Sequence, residues 1–287
     1  RAGAGVDNID RDAASAAGIY LCNVPGRTAI AVAELTIALL LAIDRHLVDA
    51  TTDLRAGRWN KARYSQADGI HGTRMAIIGL GDIGLAVAER AKALGMTVAA
   101  VRNENRSPEI AARSRSIGIR LFDTERELLA SADVVSLHVP KSPATAGLVD
   151  AAFLGQLRDG AVVLNTSRGD VVDESALLDA LDRRGMRAGL DVYAGEPAEA
   201  HTNWSSALAA HPSVVGTHHI GASTRQAQAA VADGVLAVLR SYAACRPANC
   251  INLADRRFDT TTLVGSHLDQ VGVLAKILMV LRQAGQN

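Results

Sequence analysis

Met75-Ala76-Ile77-Ile78-Gly79-Leu80-Gly81-Asp82-Ile83-Gly84 runs from an apolar segment through a glycine-rich turn into the start of a helix. Its apolar residues come in a continuous run rather than alternating, which predicts a strand covered on both faces. The glycines fall in the spacing G-x-G-x-x-G. Gly79 permits the tight turn, Gly81 lets the backbone approach a pyrophosphate, and Gly84 lets helix and strand pack closely. Asp82 and Ile83 open the helix, whose free N–H groups can receive an anion. A glycine-rich turn with no ligand is the bland alternative. The strand before the turn and the helix after it favour a dinucleotide site.

Outward from this turn the pattern repeats. A helix over 82–94 stops at Gly95, and further apolar runs follow at 98–101, 119–122, 134–138, 161–165, 188–192 and 214–217. Helical, more polar stretches alternate with these runs. That alternation gives an α/β fold with a doubly wound, Rossmann-like parallel sheet. Upstream, 29–43 has Glu34 and Thr36 as its only polar residues. It is too short to span a bilayer and carries a carboxylate, so it reads as a buried helix. Residues 19–23 read as one more strand. Downstream come a long helix at 224–242, a polar connector at 246–257 containing Pro247, and a last strand and helix at 261–267 and 271–284.

Composition narrows the function classes. The 287 residues carry 30 basic and 30 acidic side chains, and aromatics make up only 3%. A balanced chain with no basic run has no field to draw it to nucleic acid or an anionic membrane. Cys22, Cys245 and Cys250 form no C-x-x-C, so neither a disulfide framework nor a zinc site is indicated, and a reducing cytoplasm fits. The histidines show no metal-ligand grouping, and no metal is expected.

The strand after the glycine turn ordinarily ends in an acid that bonds the adenosine ribose. Here it ends Val101-Arg102-Asn103, with Arg106 close behind. An arginine at that place favours a 2′-phosphate, so NADP is expected to be tolerated beside NAD; the alternative is a solvated Arg102 with NAD bound without the acid. Three other segments carry chemistry. Asn165-Thr166-Ser167-Arg168-Gly169-Asp170, Asp191-Val192-Tyr193-Ala194-Gly195-Glu196-Pro197 and His218-His219-Ile220-Gly221-Ala222-Ser223-Thr224 each follow an expected strand at the edge where such sheets bind ligands. Arginine can fork a carboxylate, histidine can supply a proton, and glutamate can orient the histidine. That set suits interconversion of a 2-hydroxy and a 2-oxo acid. Taken singly, a strand-end Arg is usually a surface ion pair and a lone His usually structural.

Together with Arg1–Asp10 (RAGAGVDNID), Val32-Ala33-Glu34 and Gln226-Ala227-Gln228, these motifs resemble the D-isomer-specific 2-hydroxyacid dehydrogenases from Arg1 to about Leu253, and most of all their 3-phosphoglycerate-oxidising branch. The resemblance implies that Arg168 holds the substrate's carboxylate and carbonyl, that His219 is the general acid/base and that Glu196 pairs with it. It also implies that Asp191 lies by the nicotinamide and that Thr28, Val32, His138, Val139, Pro140, Thr145, Thr166, Ser167, His219 and Gly221 line the cofactor cleft with Gly79, Gly81, Asp82, Ile83, Gly84 and Arg102. By the same likeness, 1–27 is a remnant of a substrate-binding lobe, 28–221 the dinucleotide-binding domain, and 222–253 the return helix. The stretch 258–287 resembles a truncated regulatory unit of the ACT type. A homodimer or larger assembly is expected, helped by the apolar stretch 29–43.

Two departures stand out. His218 stands where most relatives have proline, and the following Ile220-Gly221-Ala222-Ser223-Thr224 assigns the catalytic role to His219. Arg102 replaces the acid. The leading expectation is hydride transfer between a nicotinamide and 3-phosphoglycerate, in serine biosynthesis. An NADPH-dependent glyoxylate/hydroxypyruvate reductase comes second, and a non-catalytic, NAD(H)-sensing corepressor of the same fold is a distant third. Formate dehydrogenases share the fold but have glutamine where Glu196 stands. The resemblance also implies more substrate lobe upstream of Arg1, so a fragment of this extent is expected to bind cofactor but turn over poorly.

Overall fold

The computed structural model describes residues 1–199, 201–244, 246–252 and 272–283. Among them, α1 (Arg11–Ala16), α2 (Ala29–Asp44), α3 (Leu47–Arg55) and α4 (Lys61–Tyr64) precede the first strand. Strands and helices then alternate: β1 (Arg74–Ile78), α5 (Asp82–Ala93), β2 (Thr97–Val101), α6 (Pro108–Ile117), β3 (Arg120–Phe122), α7 (Glu125–Ser131) and β4 (Val134–Leu137). They continue as α8 (Ala151–Gly155), β5 (Val162–Asn165), α9 (Glu174–Arg184), β6 (Arg187–Leu190) and β7 (Val214–Gly216), before α10 (Arg225–Ala243) and α11 (Val273–Gln283). The strands lie in the order β3-β2-β1-β4-β5-β6-β7, every neighbouring pair parallel.

Continuous apolar strands did mean burial on both faces: all four residues of β4 and of β5 are buried. On one face Val135, Leu137, Val163 and Leu190 pack with Leu128, Phe153, Leu154 and Leu177 from α7, α8 and α9. On the other, Met75, Ile77, Val98 and Leu164 pack with Leu39, Leu40, Ile43, Leu85 and Val87 from α2 and α5. Each such side chain contributes roughly 1.5–3 kcal/mol when taken fully from water. Gly189 in β6 brings the sheet against α2: a Cβ there would meet Leu39 and Ile43 at 3.0 and 3.1 Å. The apolar face of α2 is thus largely used inside this chain, which removes it as an argument for self-association. Among the described residues, no helix is long and apolar enough to cross a membrane.

Helix starts follow the chemistry of their caps. Asp10, Ser107, Thr124, Asp150, Asp173 and Thr224 each accept an N–H from the first turn of the helix they open. Gly118 and Gly185 end α6 and α9 in the left-handed conformation.

The strand expected at 19–23 is not formed. Only an isolated antiparallel bridge, Cys22 to Cys250, appears there. Its partner segment is short, and the side chain of Asn252 takes the N–H of Leu21 that a longer ladder would have used. The strand expected at 261–267 lies outside the described residues, and so does most of the ACT-like stretch. The helix expected at 271–284 is α11.

Candidate active site

All the candidate residues gather at the carboxyl ends of the strands because every strand runs the same way. Read across the sheet, Arg102 follows β2, the glycine turn follows β1, and His138-Val139-Pro140 follows β4. Thr166 to Arg168 follow β5, Asp191 to Glu196 follow β6, and His219 to Gly221 follow β7. Neighbouring strands are about 4.8 Å apart, so β5 and β6 lie roughly 10–14 Å from the glycine turn. A ligand with a pyrophosphate at β1 therefore reaches the β5–β7 loops when extended along this edge, and the order reversal between β1 and β4 is where such sheets open a crevice.

The turn fits a pyrophosphate. Gly79 has φ +98°, and a Cβ there would overlap the carbonyl of His138, so the crossing from β1 to α5 needs glycine. A Cβ on Gly81, by contrast, would meet nothing within 4 Å. Gly81 also opens α5 with no side-chain cap, unlike the capped helices above, so the first N–H groups remain available to an anion. The Asp82 carboxylate lies against Gly26. At the end of β2, Arg102 Nε donates to Asp123 Oδ1 at 2.8 Å, and Arg106 donates to the carbonyl of Val101. Asp123, from the end of β3, thus brings a carboxylate to a place where the β2 sequence lacks one.

His138 is half-buried, with Nε2 2.8 Å from Ser136 Oγ and a buried Nδ1 without a partner. Burial pushes its imidazole down to about 3, so it stays neutral near pH 7 and is no proton donor there. Thr145 folds the next loop by donating to the carbonyl of Pro140 at 2.6 Å. Thr36 donates to the carbonyl of Val32, which leaves Thr166 as the donor in its 2.9 Å contact with Thr36. The Ser167 hydroxyl donates to Asn165 Oδ1 at 2.7 Å. These hydroxyls are engaged with the protein.

The catalytic candidates meet through interlocked loops. His219 Nδ1 is 2.5 Å from Glu196 Oε1, while Glu196 Oε2 accepts the N–H of Tyr193 at 3.1 Å. With Nδ1 committed, Nε2 is the ring atom left to face a substrate. Arg168 donates through Nε to Asp7 Oδ2 at 2.6 Å and through Nη1 to its neighbour's carbonyl, Ser167 O, at 2.7 Å. Asn165, 1% exposed, takes the N–H and hydroxyl of Ser167 and donates to the carbonyl of Arg168, which fixes the loop below the guanidinium. A Cβ on Gly169 would overlap the Tyr193 peptide, so this loop rides directly on the one bearing Glu196. Asp191 joins that loop to the next: its carboxylate accepts the Thr217 hydroxyl at 2.6 Å and the N–H groups of Ile220 and Gly221 at 2.8 Å each. The expectation for Asp191 looked to the nicotinamide, whereas its side chain is occupied in holding the histidine loop. His218 is exposed and makes none of these contacts.

Asp7 and Asn165 are site residues that sequence reasoning missed. Tyr193 is a third: burial, then the charges of Asp191, Glu174 and Glu196, push its phenol up to about 12, so it stays a neutral buried post beneath Glu196. Glu196 and His219 also border a cavity of about 610 Å³ with Tyr193 and Trp204. Arg168 is not among the residues lining it. A larger space of about 1070 Å³ lies against Asp7, Lys141 and Asp170, on the arginine's side.

Comparison with known proteins agrees with this fold. The family model described as D-isomer specific 2-hydroxyacid dehydrogenase, NAD binding domain, matches residues 37–221. A D-3-phosphoglycerate dehydrogenase of Methanocaldococcus jannaschii is 37% identical over 262 residues, 90% of this chain and 48% of the relative. Among solved structures, a glyoxylate reductase from Paecilomyes thermophila superposes with a TM-score of 0.73 at 34% identity, covering 83% of this chain and 70% of that one. An NAD-dependent formate dehydrogenase from Staphylococcus aureus in complex with NAD gives 0.72 at 28% identity, covering 86% and 71%. The chain spans about half the length, or less, of the curated relatives it matches. With its parallel sheet, its glycine turn and a matched NAD-binding domain, the chain belongs to the D-isomer-specific 2-hydroxyacid dehydrogenase family.

Proposed function

We propose that the protein interconverts a D-2-hydroxy acid and its 2-oxo acid, with 3-phosphoglycerate as the leading substrate and hence a place in serine biosynthesis. The single observation that carries the reading is the His219–Glu196 pair at 2.5 Å, on the strand ends next to Arg168. The nicotinamide, when bound along the strand ends, supplies or accepts the hydride. Oxidation requires a base for the substrate hydroxyl, and His219 Nε2 takes that proton; in reduction the same atom returns it to the carbonyl oxygen. Glu196 holds the ring through Nδ1. Arg168 has five N–H donors, of which the bonds to Asp7 and Ser167 use two, leaving three for a carboxylate and the oxygen on which charge builds.

The 3-phosphoglycerate reading is supported by the named relatives and rests on them alone. A glyoxylate reductase activity is the second reading, favoured by the 34% identical neighbour; Arg102 would serve a 2′-phosphate there only by giving up its bond to Asp123. The reading includes a cytoplasmic location and assembly with a second copy; Leu47, Val48, Leu54 and Trp59 leave an exposed apolar face on and beside α3 that such a copy would cover. Sedimentation that finds only monomer removes that part.

The test is to assay 3-phosphoglycerate oxidation and glyoxylate reduction with NAD(H) and NADP(H), in the parent and in His219→Ala, Arg168→Ala and His218→Ala. We expect the first two substitutions to lower kcat/KM by about a hundredfold or more, the scale of a lost acid/base or charge-stabilising group, and the third to change it little. A crippled His218→Ala beside a near-normal His219→Ala would overturn the assignment.

A further inference from the structure

Outside the candidate active site, the clearest unassigned chemistry lies where two distant segments cross. Residues 21–23 lead from the first arm of the chain into α2, and residues 249–251 follow α10. They touch through one antiparallel bridge, with Cys22 facing Cys250. The flanking bonds run from Ile251 N to the carbonyl of Leu21 at 2.9 Å and from Asn23 N to the carbonyl of Asn249 at 3.2 Å. That pattern makes Cys22 and Cys250 a non-hydrogen-bonded pair, the closer of the two antiparallel kinds, with Cα atoms about 4.5 Å apart. Such a separation lies within the range that a disulfide spans. Both thiols are half-buried, so a small oxidant reaches them.

We propose that Cys22 and Cys250 form a reversible disulfide on exposure to a peroxide. One thiolate of the pair attacks the peroxide O–O bond, taking one oxygen as a sulfenic acid and releasing water or an alcohol. The other sulfur then attacks that sulfenic sulfur, and the S–S bond forms as the sulfenic oxygen leaves as water. Two thiols lose two electrons and two protons, and the peroxide is reduced. A dithiol reverses the change. Burial first, and the neighbouring Cys250 second, push the Cys22 thiol up.

The bond has a structural consequence beyond the pair. Asn23 Nδ2 donates to the carbonyl of Ala4 at 2.8 Å, and Val24 N donates to that of Gly3 at 2.9 Å. The same turn sets Gly5 against the Arg168 guanidinium and carries Asp7. A disulfide at Cys22 therefore fastens, to the segment after α10, the arm that positions Arg168. It also closes a loop of more than two hundred residues, which makes its effect on the unfolded chain large.

The test uses the full chain with Cys245→Ser, so that only the proposed pair can react. After hydrogen peroxide, non-reducing peptide mapping is expected to recover Cys22 joined to Cys250. The melting temperature should rise by roughly 5–10 °C and return with dithiothreitol. Cys22→Ser and Cys250→Ser, each added to that background, should abolish both signals. Oxidised protein in which both sulfurs stay alkylatable, or carry separate sulfur acids, or link one chain to another, overturns the proposal.

Discussion

Acidification should destabilise this fold in a way that one residue, His138, makes measurable. Its ring is buried against Ser136 and its Nδ1 has no partner, so the folded state holds it neutral down to about pH 3, against an ordinary value of 6.5. Between those values the unfolded chain binds one more proton at this site than the folded chain does. The folded value is depressed, so the contribution is complete above pH 6.5 and is lost as the pH falls towards 3. The slope is about 1.4 kcal/mol per pH unit, so moving from pH 7 to pH 5 removes about 2 kcal/mol. For a chain of this size that is a fall of roughly 4–8 °C in Tm. The assay is urea unfolding at both pH values for the parent and for His138→Gln, which retains a polar group near the position of Nε2. Other histidines and carboxylates cancel in the difference, and the parent should lose about 2 kcal/mol more than the variant. Equal losses would refute the reasoning, because they would mean that His138 can charge in the folded state.

Three further outcomes follow from contacts at the strand ends. Asp7→Asn keeps the shape but removes the charge at 2.6 Å from Arg168 Nε; losing about 1–2 kcal/mol of guanidinium positioning should raise KM for the acid roughly 5- to 30-fold with kcat little changed, read from steady-state kinetics. Asp123→Asn frees Arg102 and should strengthen NADPH binding relative to NADH, measured by titration of both, whereas an unchanged ratio makes Arg102 a solvated surface residue. Gly169→Ala, which drives a Cβ into the Tyr193 peptide, should cost about 1–3 kcal/mol of stability and loosen the Glu196 loop, seen as a lower unfolding midpoint together with lower activity.

What could be read in the sequence divides by range. The sheet was legible because burial on both faces leaves continuous apolar runs at 75–78 and 162–164 and a run at 134–137 interrupted only by Ser136, and the glycine turn because its spacing is local. Arg168, Glu196 and His219 came from motifs and from a family resemblance, since nothing local to each shows that the three strand ends are neighbours. Asp7 was not legible: its partner is 161 positions away, and a carboxylate in a glycine-rich arm has no periodicity to mark it. Asp123 was missed for a related reason. The acid was sought at the end of β2, while the fold supplies one from β3, the strand beside it. At 19–23 the error ran the other way. Ile19-Tyr20-Leu21 has strand composition, but a strand needs a partner of matching length, and the chain offers only the short segment around Cys250.

The geometry of His219 shows why those long-range contacts matter for chemistry. Its φ is +54°, in the left-handed region that costs a non-glycine residue about 1–2 kcal/mol. Strain of that kind persists only where surrounding bonds over-determine it. Asp191 supplies them: its carbonyl accepts the N–H of His219 at 2.8 Å, while its carboxylate takes the two N–H groups that follow and the Thr217 hydroxyl. Hydrogen bonds to a charged group contribute about 1.5–3 kcal/mol each, so the three together more than offset the strained backbone. The turn is thereby held with the imidazole directed at Glu196, whose other oxygen is fixed by Tyr193 N. Tyr193 in turn supports Gly169, next to Arg168. His219, Glu196 and Arg168 are therefore parts of one mechanically continuous edge, and a disturbance at any of Asp191, Tyr193 or Gly169 reaches all three without touching a substrate.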